Sequence, residues 1–108
     1  MSRAKVVASE LKKMDPQSRI VFEILQERTR QDAKFGANRK QMELEWMNVL
    51  TEEVGEAAQA LNDVWFNNKI LQKTGYKKLS KTYRQELIQV AAVAIAALED
   101  FDRKVKAL

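Results

Sequence analysis

Four acids carry the chemical interest of the chain: Glu52, Glu53 and Glu56 stand as EExxE, and further along Glu86 stands with Gln89 as ExxQ. Residues three apart on a helix point the same way with roughly 4.5 Å of axial rise, so Glu53 and Glu56 can grip one cation. Stepping about 100° per residue from Leu50, Glu53 falls near 300°, on the shoulder of an apolar stripe, where a carboxylate is costly unless paired or bound to metal. Glu86 shares a face with Val90, Val93 and Ala97, and so also opens onto a buried surface. If the two helices pack antiparallel, Glu53 and Glu56 face Glu86 and Gln89, the kind of bundle-core metal site that facing helices build. The competing readings are a water-facing edge for Glu52 and Glu56, and an ordinary salt bridge from Glu86 to Arg84, Lys81 or a base on the first helix.

Composition narrows the metal. The chain of 108 residues has no cysteine and no histidine, which removes disulfides, thiolate or imidazole zinc sites and histidine-based triads. A cation here must be held by oxygen, which favours hard ions, and magnesium or manganese are those that accompany phosphate chemistry. Net charge is +4, but its distribution says more. Residues 1–40 hold ten Lys/Arg against five Asp/Glu, residues 41–66 six acids and no base, and residues 67–84 six bases and no acid. An acidic block between two basic blocks suits a cation and the phosphates it neutralises, although solvated faces can segregate charge in the same way.

The elements that must position these residues are helices. One proline and three glycines punctuate a chain of good helix formers, so the expected fold is all-α, a bundle of three to five helices. Asp15 and Pro16 predict a helix start, with Ile20, Val21, Ile24 and Leu25 as its apolar face and Gly36 as its end. A second helix is expected over about residues 42–67, burying Trp46, Leu50, Val54, Ala57, Leu61, Val64 and Trp65. Asn67-Asn68 and Thr74-Gly75 mark a connection, and a third helix is expected from about Leu79 to Lys104. Its centre, Val90 to Leu98, is apolar on every side and needs cover all round, which implies a homodimer or homotetramer. Residues 1–14 read as an arm or short helix ahead of a domain at residues 15–108. No signal peptide is visible and no apolar run approaches the roughly 20 residues that span a bilayer, so the expectation is a cytoplasmic protein without membrane contact.

The stretch Trp46-Met-Asn-Val-Leu-Thr-Glu-Glu-Val-Gly-Glu-Ala-Ala-Gln-Ala60, followed by Arg84-Gln-Glu-Leu-Ile-Gln-Val-Ala-Ala-Val-Ala94, resembles the MazG-like branch of the all-α nucleotide pyrophosphatases. Upstream, Glu27-Arg-Thr-Arg-Gln-Asp-Ala-Lys-Phe-Gly36 resembles the opening segment of its phage-type and mobile-element members. The resemblance covers about residues 20–100. It implies magnesium-dependent hydrolysis of (deoxy)nucleoside triphosphates to monophosphate and pyrophosphate, a house-cleaning or pool-control activity, with Mn2+ as a possible substitute. It assigns Glu53, Glu56 and Glu86 as metal ligands and Glu52 as a further ligand or the group that orients the attacking water. The family's ExxD aspartate falls on Gln89, whose amide oxygen still reaches a cation but brings no charge. On that reading Arg28, Arg30, Lys34, Lys81 and Arg84 are candidate phosphate clamps, together with Lys69 and Lys73. Phe35 and Trp46 are candidates to stack on a base and Asn62 to read its edge, while core packing is the stronger expectation for Trp46. The alternative is a nucleic-acid-binding or regulatory helical protein with a degenerate metal site; nucleic acid is the less expected partner.

Overall fold

A computed structural model describes residues 9–66 and 72–108, and the described residues form helices with no strand. Residues 9–13 are helical. Four longer helices follow: α1 (Pro16–Phe35), α2 (Glu43–Phe66), α3 (Lys73–Lys81) and α4 (Tyr83–Ala107). The start of α1 is where the sequence places it. Asp15 caps it, accepting from the Ser18 amide at 2.8 Å and the Ser18 hydroxyl at 2.9 Å, with Pro16 in the first turn where no N–H is needed. Gly36 ends it at φ +96°, a backbone region costly for residues with a Cβ, and its N–H closes on the Asp32 carbonyl.

The long helix α4 is the hub: α1, α2 and α3 all pack on it, α2 most extensively. The pairs Trp46 with Asp100, Glu43 with Lys104 and Glu53 with Gln89 run in opposite order along the two helices, so α2 and α4 are antiparallel. Ile88, Ala92, Val93, Ala96 and Asp100 form the buried face of α4, and Trp46, Val93 and Ala96 make its densest cluster, with Val49, Leu50 and Ala97 against it. Alanines at this seam let the two helices approach closely.

Three expectations need correction. On α2 the buried residues are Trp46, Ala57 and Val64, while Val54 and Trp65 are more than half exposed or nearly so, at 50% and 57%. The buried face is thus centred near 325° on the same wheel, about 35° round from Leu50 toward Glu53. Glu53 therefore sits near the middle of the packed face and not on its shoulder. On α1 the apolar residues Ile20, Val21 and Leu25 are largely exposed, and the buried side chains are Glu27, Arg28 and Gln31. Periodicity favoured the apolar flank, but polar partners on α4 and within α1 satisfy the other one. Third, Thr74 and Gly75 lie inside α3, with Gly75 buried. The segment read as one helix from Leu79 breaks at Thr82, whose N–H and hydroxyl both end on the Lys78 carbonyl, at 3.0 and 2.9 Å. The expected turn at Asn67-Asn68 and the candidate clamp Lys69 fall outside the described residues. No helix is long and apolar enough to cross a membrane among the described residues.

Asp100 ties the far end of the α2/α4 seam. It is 1% exposed and accepts from the Trp46 indole N–H at 2.8 Å and the Gln41 amide at 3.0 Å. Lys104 and Arg103 stand beside it at 3.3 and 3.7 Å. These donors, the Gln41 amide foremost, hold its carboxyl down at about 2. Because the folded value is depressed, the unfolded chain binds the proton more readily, and the stability Asp100 supplies is lost as pH falls through the folded value. Between pH ~4 and ~2 the melting temperature should fall more steeply in wild type than in Asp100→Asn, and parallel curves would show that Asp100 is not the linked group.

Candidate metal centre

Glu53 and Glu56 occupy successive turns of α2, and Glu86 comes up from the first turn of α4 against them. One carboxylate oxygen from each lies within 4.8 Å of the other two. Glu53 and Glu86 are half-buried and Glu56 is exposed. The Gln89 amide reaches the same place: with its nitrogen turned inward it donates to Glu86 Oε2 and Glu53 Oε2, both at 3.1 Å. Turned over about its terminal bond, the same amide presents an oxygen.

Unneutralised, this arrangement is unfavourable. Two unit charges at 4.8 Å repel by about 3 kcal/mol at an effective dielectric near 20, and by less toward exposed Glu56. Accordingly the carboxyls of Glu53 and Glu86 are both pushed above the usual glutamate value, first by burial and then by the charge of Glu56. Glu27 and Glu52 add to the pressure on Glu53. A shared proton or the Gln89 amide relieves part of this strain; a divalent cation would relieve more. The donor set fits one, because it is all oxygen and spans two packed helices. An octahedral magnesium at ~2.1 Å from each ligand sets neighbouring oxygens ~3 Å apart, so the acids need only draw in by rotamer adjustment.

Of the cluster, Glu53 lines a cavity of about 390 Å³ between α1, α2 and α4, which reaches from Glu52, Glu53 and Gln89 across to Lys34, Phe35 and Arg39. That is within the usual size of small-molecule sites. It exists because α1 and α2 pack on α4 and not to any comparable extent on each other. Glu27, 6% exposed, is held in its wall by a two-point pair with Arg30, at 2.8 and 2.6 Å, and by the Gln31 amide at 3.3 Å. Gln31 is as deeply buried, and its amide oxygen has no hydrogen-bond partner among the described residues.

The other residues singled out from the sequence divide by location. Glu52, Arg30, Lys34 and Phe35 line the cavity. Arg28 does not: its guanidinium is engaged by Glu99 at 2.9 Å and Asp32 at 2.6 Å. Arg84 is held by both carboxylate oxygens of Glu23 and borders a separate hollow beside α3. Lys81 is exposed on α3 and Asn62 exposed on α2, neither lining the cavity. Trp46 is core, 4% exposed with its N–H spent on Asp100, so it offers no free ring face to a base. Sequence reasoning missed Glu27, Gln31, Arg39 and Asp100. The only available hint was that a buried indole requires an acceptor, which did not say which one.

No known protein family matches the chain, and no curated protein and no solved structure matches it.

Since Glu86 carries a raised folded value, its charge costs stability at neutral pH. Glu86→Gln should raise the melting temperature of the metal-free protein by about 3 °C or more. If the three acids hold magnesium, the ion should stabilise wild type by about 2.7 kcal/mol at 100 times its dissociation constant, and the same variant should lose that gain. A variant that melts lower without metal would mean that Glu86 serves as an ordinary ion-pair partner.

Proposed function

We propose that the chain is a divalent-metal-dependent nucleoside triphosphate pyrophosphohydrolase of the MazG-like kind, releasing monophosphate and pyrophosphate. The observation that carries the reading is a single cavity with two opposite electrical demands. At one end Glu52 and Glu53 line it, and one carboxylate oxygen each of Glu56 and Glu86 lies within 4.8 Å of Glu53. At the other end stand Lys34 and Arg39, which make no ion pair among the described residues. A cation carried by a polyanion satisfies both ends at once, and a metal-bound triphosphate is such a ligand.

In this reading Glu53, Glu56 and Glu86 hold Mg2+ or Mn2+, and Gln89 turns its amide oxygen toward it. The bound ion supplies charge neutralisation on the phosphates and acidifies water. Glu52, on the cavity wall beside Glu53, is placed to orient the attacking water and take its proton. Lys34 and Arg39 hold phosphate oxygens, and Arg30 joins them only by exchanging its pair with Glu27. Phe35 is 54% exposed at the rim, with Lys34 and Arg39 each 5.1 Å from its ring centre, so a base would stack only on the part of the ring those cations leave open. A nucleic-acid-binding role draws less support, because Arg28, Arg30, Arg84 and Arg103 are already committed to acids.

A homo-oligomer belongs to the same proposal. Met47, Val54, Leu98 and Phe101 are each at least half exposed, and Met47, Leu98 and Phe101 share an apolar hollow over Trp46. The radius of gyration is 16.7 Å, against about 13 Å for a compact domain of this length. A second copy packed there supplies the cover that the apolar centre of α4 needs.

Pyrophosphate release from a panel of canonical and modified triphosphates should require magnesium or manganese. It should fall at least about 100-fold in Glu53→Ala and Glu56→Ala and stay unchanged in Lys12→Ala. Release that survives chelation, or survives Glu53→Ala, would remove the proposal.

A further inference from the structure

The connection between α1 and α2 is short, strongly bent and fastened at several points. Gly36 at φ +96° and Asn38 at φ +56° reverse the chain. Beyond them the backbone is stapled to α4. Arg103 donates to the Arg39 carbonyl at 3.2 Å and toward the Asn38 side chain at 3.5 Å, Lys104 donates to the Gln41 carbonyl, and the Gln41 amide donates to Asp100 at 3.0 Å. Three charged side chains from little more than one turn of α4 would be an expensive way to fasten a passive loop, since each ordered long side chain gives up rotamer entropy.

What the staple holds in place is the Arg39 side chain. Its guanidinium lies over two aromatic rings, 5.0 Å from the centre of Trp46 and 5.1 Å from that of Phe35. Stacking of this kind orients a guanidinium and compensates part of its lost hydration without neutralising it. Arg39 is half-buried, lines the cavity, and makes no ion pair among the described residues. The neighbouring guanidiniums differ on that point: Arg28, Arg30 and Arg84 each have a carboxylate at 2.9 Å or less. A fixed, unneutralised guanidinium facing a cavity is a binding site for an oxyanion, and its planar fork suits two phosphate oxygens.

We infer that the segment 36–41 is an anion-binding strap in which Arg39 takes a phosphate group of the ligand, with Asp100 as the positioning residue that holds the strap against α4. The inference deepens the hydrolase reading and rests on the same cavity, but it concerns binding and not turnover. Asp100 touches no ligand. It acts by receiving both the Gln41 amide and the Trp46 indole, so that the loop backbone and the ring beneath Arg39 share one anchor.

The probe is magnesium tripolyphosphate, which carries the phosphate charge and no base. Binding to the full chain is measured by calorimetry, and in a Trp65→Phe background the remaining tryptophan, Trp46, reports locally through its emission. Arg39→Gln should weaken binding about tenfold, Arg39→Lys should recover part of it, and the emission change should be lost with Arg39→Gln. Asp100→Asn, and Lys104→Gln as a milder loosening of the same staple, should each weaken binding. Neither should weaken it further on an Arg39→Gln background, since a residue that acts through Arg39 has nothing left to position. Affinity within about twofold of wild type in Arg39→Gln, or no binding of tripolyphosphate by the parent chain, overturns the inference. Additive losses in the double variants overturn the role of Asp100. Arg39-dependent binding without pyrophosphate release from any triphosphate upholds the strap and removes the hydrolase reading, whereas hydrolysis with Arg39→Gln binding normally does the reverse.

Discussion

Glu53, Glu56 and Glu86 are held close enough to repel one another, and the rest of the fold has to withstand that repulsion. Two of the three are half-buried, with carboxyls driven upward by burial and by their neighbour's charge. A protein under no functional demand would splay these side chains into water. Here the seam on either side leaves little freedom to do so. Trp46, Val93 and Ala96 close it toward one end, where Asp100 fastens it through a wholly buried carboxylate, and Ala57 and Val64 are buried on the α2 side toward the other end. Electrostatic stress collected at one place and offset by apolar packing elsewhere is the usual signature of a site built for a ligand of opposite charge.

The two buried acid systems on α4 therefore work in opposite senses. Asp100 is surrounded by donors and cations and sits well below the ordinary aspartate range, so its charge stabilises the folded chain. Glu86, several turns earlier, is surrounded by acids and sits above the ordinary glutamate range, so its charge is a cost. Both are aspects of one helix serving α2: one end anchors the seam, the other end brings Glu86 against Glu53 and Glu56. The cavity beside it follows from the same arrangement, because α1 leans on α4 and leaves α2 uncovered along the stretch that carries Glu52 and Glu53.

Much of this was legible in the sequence. The Asp15-Pro16 start, the Gly36 stop and the all-helical class follow from local chemistry that tertiary contacts did not override. The convergence of Glu53 and Glu56 required only helical spacing, and that of Glu86 required only that α4 lie antiparallel to α2. The failures came where partners distant in sequence decide. Val54 and Trp65 belong to the apolar stripe by hydrophobicity, yet the packed face turns toward Glu53, since α4 meets α2 on that side. Ile20, Val21 and Leu25 predict an apolar face for α1, while Glu27 and Arg28 are buried because Arg30, Glu99 and Asp32 satisfy their charges, and Gln31 is buried beside them with its amide on Glu27. Arg39 and Asp100 carry no signal in their own neighbourhoods: one lies in a polar connection and the other in a charged helix end, and each takes its role from contacts with Trp46 that only the packing of α2 on α4 brings about.

The central claim is that the three glutamates form a coordination shell and not an accidental gathering of acids. Crystals soaked in manganese and measured at the manganese absorption edge test it most directly. The account requires an anomalous peak enclosed by Glu53, Glu56 and Glu86, with oxygens drawn in to ~2.2 Å and the Gln89 amide oxygen turned toward the ion. Manganese bound elsewhere, with these three side chains left bare or parted into solvent, would contradict it.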